Sequence, residues 1–600
     1  MAAKLTFLTF LLGFVAVFPL ASLAKVLTCI SQVKKQYDFV IVGGGTAGSV
    51  LANRLSENVN IKVLVVEAGD NNVGNVNLQI PFLGVALPGT SVDWNYTTTP
   101  QAGFNGRSIS YARGFVLGGS SSINLLSYHR GSDDIWNRWA DISGDQGWNW
   151  KSIEKYYMKS SRLVPPADGR DVRSYVDPRD HGNGPIQVSV PGFPLPIDDI
   201  VLTSAKRLGG RFAFNDDFNG GNFLGIGYMQ STVGKGERSS GATAYLNPVF
   251  DRCNLDVLVN TRVTKLINTA PPHGGLPALN KVELAQSSKG PRVQVLATKE
   301  VILAAGVIGT PQILQLSGIG NKNALKSLGI PSVVDLPEVG ENLADHPLLA
   351  NYFKVQSNGT WDDVLRNGDV FGQTMGRWQA ERQGLFVDSP GNTVGFFKVP
   401  SGSPALKGIQ DPSSGSKSPH TELIFVDGFA QFGSVAQPAE GNFVTVLSAV
   451  VSPTSRGSVK IASTDPFASP LINPNFFATN FDILAMVQSV NDALSFMAAP
   501  LWQQLFKPAP FGDLAAAKTD AAKANFARLR SVNVNHPVGT AKMSAKGGVV
   551  DAKLKVKGVD GLRVVDASIF PVIPECHPQA LVYVIAERAA DLIKAQYKIL

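Results

Sequence analysis

The stretch from Tyr37 to Gly69 constrains this chain more than any other. Asp38 to Val42 is an apolar run that ends on a glycine cluster, as a buried parallel strand does. Gly43, Gly45 and Gly48 spell G-x-G-x-x-G, with Thr46 and Ala47 between the second and third glycines. Ser49 to Ser56 carries Val50, Leu51 and Leu55 at helical spacing. Ile61 to Val66 is a second buried strand, and Glu67 follows it, 19 residues past Gly48. Strand, glycine turn, helix, strand and acid in that order form the fingerprint of a dinucleotide site. The glycines let backbone amides approach a pyrophosphate, and the helix N-terminus stabilises its charge. Glu67 is placed to accept hydrogen bonds from a ribose diol. The fingerprint alone does not separate FAD from NAD.

A chain of 600 residues buries a large core and fills more than one domain, or one domain with a large insertion. Charged residues make up 17% and apolar residues 44%, which excludes a disordered chain. The net charge of +7 is scattered without a dense Lys/Arg run, so no nucleic-acid partner is expected. Residues 1–24 read as a secretory signal. Lys4 supplies the n-region charge, Leu5 to Leu20 the apolar core, and Ser22-Leu23-Ala24 the small-residue cleavage site. No later stretch is long enough to span a bilayer. A secreted, extracellular protein without a membrane partner after cleavage is therefore expected. Asn95-Tyr96-Thr97 and Asn358-Gly359-Thr360 are N-glycosylation sequons. Cys29, Cys253 and Cys576 have no spacing that makes a disulfide framework or a metal site, and no metal is expected.

Further along, Trp136, Trp139, Trp148 and Trp150 read as core. Asn254 to Ile267 alternates apolar and polar residues, as one half-buried strand would. Val301 to Ala305 is another buried strand, and Thr310-Pro311 is a place for a helix to start at proline. Strand-like runs then recur at Asn351 to Val355, Thr393 to Val399, Glu422 to Val426, Phe443 to Val451 and Ser458 to Ile461, with a helix over Asp482 to Met497. They predict a largely antiparallel sheet flanked by helices.

Several motifs in order give the chain a family resemblance. They are the opening fingerprint, Asp93-Trp94-Asn95-Tyr96, Leu117-Gly118-Gly119-Ser120-Ser121-Ser122-Ile123-Asn124, the Gly306 to Gly320 segment and the block from Asn535 to Tyr583. The chain resembles glucose–methanol–choline (GMC) flavoprotein oxidoreductases over essentially all of its mature length. Trp94 to Thr99 and Asn105 to Ile109 resemble fungal aryl-alcohol oxidases most. The resemblance implies an α/β flavin-binding, Rossmann-like domain and an α+β substrate domain with a mainly antiparallel sheet, both discontinuous. The flavin-binding parts are 36–155, 229–346 and 531–600; the substrate-domain parts are 156–228 and 347–530.

The resemblance also implies FAD. Its pyrophosphate would lie on Gly43 to Gly48, its adenosine ribose on Glu67, and its adenine against the backbone of Val263. Gly118, Ser122 and Asn124 would lie along the flavin ring, with Pro578 and Gln579 touching it. Asp566 and Ala567 would meet the phosphate and ribityl region. In some relatives the position of Ile123 is a histidine bonded to the flavin. Isoleucine forms no such bond, so the FAD is expected to be non-covalent.

His536, in Asn535-His536-Pro537, and His577, in Cys576-His577-Pro578, match the family's active-site pair, 41 residues apart. Oxidising an alcohol removes a proton and a hydride. A flavin accepts the hydride at N5, and an imidazole, whose pKa lies near working pH, accepts the proton. His536 is assigned as the base and His577 as its hydrogen-bonding partner at the alcohol oxygen. His129, His181, His273, His346 and His420 are assigned no role. The expected reaction takes a primary alcohol, aryl or allylic, to its aldehyde, with O2 or a quinone as electron acceptor. Leu125 stands where aryl-alcohol oxidases have tyrosine and Asn535 where they have phenylalanine, so a sugar or another alcohol remains an alternative. A hydroxynitrile lyase that uses FAD structurally is a third reading.

Overall fold

The computed structural model describes residues 26–270, 275–433 and 435–599. The signal segment expected over 1–24 and His273 lie outside the described residues. The apolar run before the glycine turn forms the strand Gln36–Val42, and the second run forms Val63–Val66. They pair in parallel, Phe39 beside Val63 and Val42 beside Val66. The helix between them spans Thr46–Leu55, three residues earlier than its apolar spacing indicated, because the turn glycines already carry the chain into it.

These two strands lie in the middle of an eight-stranded sheet. Its order is Val26–Leu27, Leu255–Leu258, Val63–Val66, Gln36–Val42, Val293–Leu303, Lys281–Ala285 and Arg262–Ile267, with Leu562–Val564 also beside Val293–Leu303. Lys281–Ala285 runs antiparallel to both neighbours, and the other pairings are parallel. Helix Gln579–Tyr597 packs on Thr46–Leu55, and buried branched side chains from both elements make the core there.

Other sequence expectations need correction. Asn254 to Ile267 is two strands, not one. Asn260 takes a left-handed conformation (φ 53°), which asparagine tolerates, and breaks the run. Leu255–Leu258 stays in the parallel part of the sheet, and Arg262–Ile267 turns to its antiparallel edge. Next, the helix Gly306–Leu316 starts before Pro311, which lies inside it. Proline has no N–H for the carbonyl four residues back, which would leave Val307 O without its helical donor. The Thr540 hydroxyl supplies one instead, at 2.7 Å. Finally, Trp136, Trp139 and Trp148 are buried, but Trp150 is half-buried and stacks against the Arg130 guanidinium, 3.7 Å from ring centroid to Cζ.

The second sheet has seven strands and is wholly antiparallel. Pro347–Val355, Asn442–Val450, Thr421–Val426, Gly391–Phe397 and Gly225–Tyr228 follow one another across it. Gly457–Lys460 is not among them; it pairs with Glu341–Leu343 and Leu471–Asn473 in a separate small sheet. Helix Asn480–Met497 covers part of the second sheet. Among the described residues no helix is long and apolar enough to cross a membrane. Cys29 and Cys253 are exposed and Cys576 is buried, all as free thiols. Asn95 and Asn358, the sequon asparagines, are both exposed.

Candidate active site

One cavity of about 1930 Å3 runs from the glycine turn to the antiparallel sheet. Gly43, Gly45, Thr46, Ala47 and Glu67 line one end of it. Here the backbone comes close to itself. A Cβ on Gly43 would stand 2.4 Å from Ala304 O, and one on Gly48 only 1.9 Å from Gly43 O. The helix Thr46–Leu55 begins at Gly45 without a side-chain cap and without an acidic residue in its first turn. Its N-terminal amides therefore face the cavity as an uncompensated positive end, which suits a pyrophosphate.

Glu67 is buried, and its oxygens accept from Gly44 N and Gly69 N at 2.8 Å each. Burial pushes this carboxyl up to about 7 despite those donors. Two further hydroxyl donors, such as a ribose diol, would favour its ionised form. Val263, Asp566 and Ala567 also line the cavity. The Asp566 side chain is already committed. It accepts from Gly306 N (2.9 Å), Thr310 Oγ1 (2.7 Å) and Ser568 N (2.7 Å), tying the start of one helix to a turn.

Gly118 and Ser122 shape the wall from behind. Gly118 takes φ 84° and begins a tight turn over Gly119–Ser122, and Ser122 Oγ donates to Leu117 O at 2.8 Å. Gly119, Ser120 and Ser121 are the turn residues that reach the cavity. Asn124 reaches it too, and its amide nitrogen bonds Gln579 Oε1, 455 residues away in sequence. Pro578 and Gln579 stand at the N-terminus of the helix Gln579–Tyr597, whose positive end faces the same space. Arg238 was not anticipated from sequence. Its buried guanidinium donates to Asn124 O (2.7 Å), Asn124 Oδ1 (2.8 Å) and Leu78 O (3.0 Å), and burial pulls it down to about 9.

His536 and His577 meet in this cavity, ring centroids 4.6 Å apart and planes at 70°. Each is held by a group that sequence reading left out. His577 Nε2 lies 2.7 Å from Glu422 Oε1, and Glu422 is fully buried on the strand Thr421–Val426. His536 Nδ1 lies 3.1 Å from His346 Nδ1, and His536 N donates to Asp345 Oδ1 at 2.8 Å. A fourth imidazole, His129, is packed edge-on against His577 among Phe218, Phe223 and Phe396. Burial, then the neighbouring His577, holds His536 well below the ordinary imidazole range. A neutral imidazole can accept a proton, and this environment keeps His536 neutral.

Around the pair the antiparallel sheet contributes Leu348, Ile424, Val426 and Leu447, and Phe429 and Trp361 add aromatic surface. Asn535 and Gln431 are polar exceptions. Asn535 takes φ 65°, and its carbonyl accepts from the half-buried Arg113 at 2.8 Å.

Behind this wall lie three buried carboxyls, Asp198, Asp388 and Asp427. Asp388 and Asp427 immediately precede wall segments that include Ser389 and Phe429. The Asp427 oxygens find no N–H donor, and their neighbour is the Asp198 carboxyl. Two carboxyls close on each other only around a proton. Burial raises all three, Asp198 to about 6, Asp388 to about 7 and Asp427 well above its ordinary value. The folded state thus keeps protons that the unfolded chain releases near pH 4. The stability tied to them is full below about pH 4 and is lost as pH rises through about 6 to 7. Asp427→Asn removes the shared proton but keeps a polar side chain. Its melting temperature is expected to fall less between about pH 4 and 7 than that of the parent, as measured by thermal scans across that range. An unchanged slope would rule out the carboxyl pair as its source.

The comparisons with known proteins agree with this architecture. Residues 37–348 match the N-terminal model of the GMC oxidoreductases and residues 453–586 the C-terminal one. Dehydrogenase eriK of Hericium erinaceus is 38% identical over 578 residues, 94% of each chain. Pyranose dehydrogenase 3 of Leucoagaricus meleagris is 37% identical, over 94% of this chain and 93% of its own. Among solved structures, Aspergillus oryzae formate oxidase superposes with a TM-score of 0.85 at 32% identity, covering 94% of this chain and 99% of its own. A variant of that oxidase, solved for the effect of mutation on its FAD modification, superposes with the same TM-score. A fungal aryl-alcohol oxidase superposes with a TM-score of 0.80 at 26% identity, over 94% of this chain and all of its own. The relatives at 37–38% identity are named dehydrogenases, so the likeness to aryl-alcohol oxidases does not carry the substrate with it.

Proposed function

We propose that this chain, which belongs to the GMC oxidoreductase family and binds FAD, oxidises an apolar primary alcohol, aryl or allylic, to the aldehyde. The observation that carries the reading is the pair of imidazoles 4.6 Å apart in the cavity that also holds the dinucleotide fingerprint. FAD, when bound here, would supply a two-electron acceptor for the hydride of the carbinol carbon. The chain's residues do the rest. His536, kept neutral, accepts the O–H proton. His577 donates a hydrogen bond to the same oxygen. With Nε2 held by Glu422 Oε1, Nδ1 is the ring nitrogen left for that bond. Donors already aimed where negative charge develops need no rearrangement during reaction.

The aliphatic wall of Leu348, Ile424, Val426 and Leu447 favours an apolar body over a sugar, whose hydroxyls would lose water there without partners. A pyranose is the second reading, supported by the 37% identity to a pyranose dehydrogenase and by the polar Asn535 and Gln431. The non-covalent state of FAD rests on Ile123, which lines the cavity and has no nucleophile. Secretion rests on the segment 1–24, and the final acceptor is O2 or a quinone.

The test is anaerobic mixing of the purified holoenzyme with benzylic alcohols, allylic alcohols and pyranoses, followed by reoxidation with O2 or a quinone. Bleaching of the flavin by benzylic or allylic alcohols is the expected result. Bleaching by pyranoses alone would move the assignment to the second reading. No bleaching by any alcohol would remove the oxidoreductase reading. Acid precipitation should release the flavin into the supernatant; colour retained in the pellet would contradict non-covalent binding.

A further inference from the structure

We propose that His346 is a positioning residue that decides which ring nitrogen of His536 carries the lone pair, so that the base presents an unprotonated Nε2 to the substrate. This rests on the assignment of His536 as base. His346 directly precedes the strand Pro347–Val355 and is fully buried. Its ring meets that of His536 at 84°, with Nδ1 to Nδ1 at 3.1 Å. A gap of that length between two ring nitrogens holds one hydrogen. Two lone pairs would repel, and two N–H groups would collide.

Two arrangements remain. If His536 donates its Nδ1–H, its lone pair is on Nε2, the nitrogen left for the cavity that His536 lines. If His346 donates, neutral His536 carries its proton on Nε2 and cannot accept one there. The base role assigned to His536 selects the first, since only an unprotonated Nε2 can take a proton arriving from the cavity. His346 then offers its lone pair at Nδ1 and keeps its proton on Nε2, a buried nitrogen that makes no well-aligned hydrogen bond among the described residues. Burial and the neighbouring His577 hold His346 down to about 3, so it stays neutral.

The spacing of the two rings is fixed through the backbone. Asp345 Oδ1 accepts from the main-chain N–H of His346 (2.7 Å) and of His536 (2.8 Å). One carboxylate oxygen thus anchors both residues, although they come from segments 190 positions apart. The titratable groups that face His536 are His577, His346, Arg113 and His129, all of which disfavour its cation, and the Asp345 carboxyl, which accepts from its main-chain N–H. When the alcohol proton arrives on Nε2, the positive ring therefore has the His346 lone pair, a neutral acceptor, at its Nδ1–H. That fits a base that must give its proton back readily.

The test uses FAD-loaded holoenzyme in four forms: parent, His346→Leu, His346→Asn and His536→Ala. The chain has seven histidines, so 15N-histidine labelling gives a spectrum that can be assigned by difference. The parent should show a neutral ring with its proton on Nδ1 that disappears in His536→Ala. In His346→Leu that ring should lose its fixed tautomer. Anaerobic reduction by benzyl alcohol should then slow by about tenfold or more, with a shifted acid limb in its pH profile. In His346→Asn the introduced amide oxygen would stand close to the former Nδ1, so this variant should recover most of the rate and the tautomer. A parent His536 ring protonated on Nε2 overturns the proposal by itself, even if His346→Leu fails to load FAD. A His346→Leu enzyme with unchanged tautomer, rate and pH profile also overturns it. If no alcohol reduces the parent flavin, the functional reading fails while the spectrum still decides this inference.

Discussion

Replacing His536 by alanine is expected to slow anaerobic flavin reduction by about a hundred- to ten-thousand-fold while the protein still purifies with FAD. The size follows from what is removed. Without the imidazole, the alcohol proton must pass to water or to a ring that already faces Glu422. The low-dielectric cavity gives a free alkoxide no other relief. The retention of FAD follows from distance in the fold. His536 takes no part in the glycine turn, the Glu67 contacts or the Asp566 cap. Its main-chain N–H remains bonded to Asp345 after truncation, so the loop keeps its place. Stopped-flow reduction of the two proteins by the same alcohol, normalised to bound flavin, measures the effect. A variant reduced within about tenfold of the parent would take the base role from His536, and the carboxylate-backed His577 would then be the group to examine.

The parts of this molecule that local chemistry dictates were readable from the sequence. The fingerprint strands, turn and helix appear where their glycines and apolar runs put them, because each is stabilised by neighbours in sequence. Both sheets' central strands were visible as apolar runs. What could not be read was set by partners far away. Asn254 to Ile267 alternates like one strand, and only the demand of two sheet neighbours at Asn260 splits it. Pro311 reads as a helix start because the hydroxyl that makes it tolerable inside a helix belongs to Thr540. His346 looked like an unassigned histidine, and Glu422 like any strand residue. Their roles come from His536 and His577, 190 and 155 positions off. A buried charge such as Glu422 in the middle of an apolar strand is a signal that sequence reading could have used, since a carboxyl there requires a partner.

The glycine turn carries the other large effect. Gly48→Ala is expected to yield a chain that binds little or no FAD and melts well below the parent. A methyl at this position would stand 1.9 Å from Gly43 O and 3.0 Å from Gly43 C, both main-chain atoms, with Ile41 Cγ2 at 3.4 Å. No side chain can swing aside to make room. Relief requires the helix Thr46–Leu55 to move off the strand Gln36–Val42, and that helix is also packed on Gln579–Tyr597. The strain is at least the roughly 1–3 kcal/mol of an overpacked core. It falls on the N-terminal amides that the pyrophosphate needs, so the loss of bound cofactor adds to the loss of stability. Gly372→Ala is the matched control: that glycine sits in the helix Gly368–Glu381, and apart from its own helix backbone nothing lies within 4 Å of the added methyl. It should keep its flavin and gain slightly in stability from better helix propensity. The ratio of flavin to protein absorbance after purification, with the melting temperature of each variant, separates the cases. A Gly48→Ala protein with the parent's flavin content would mean that the turn and the helix are not packed as closely as the strand beneath them dictates.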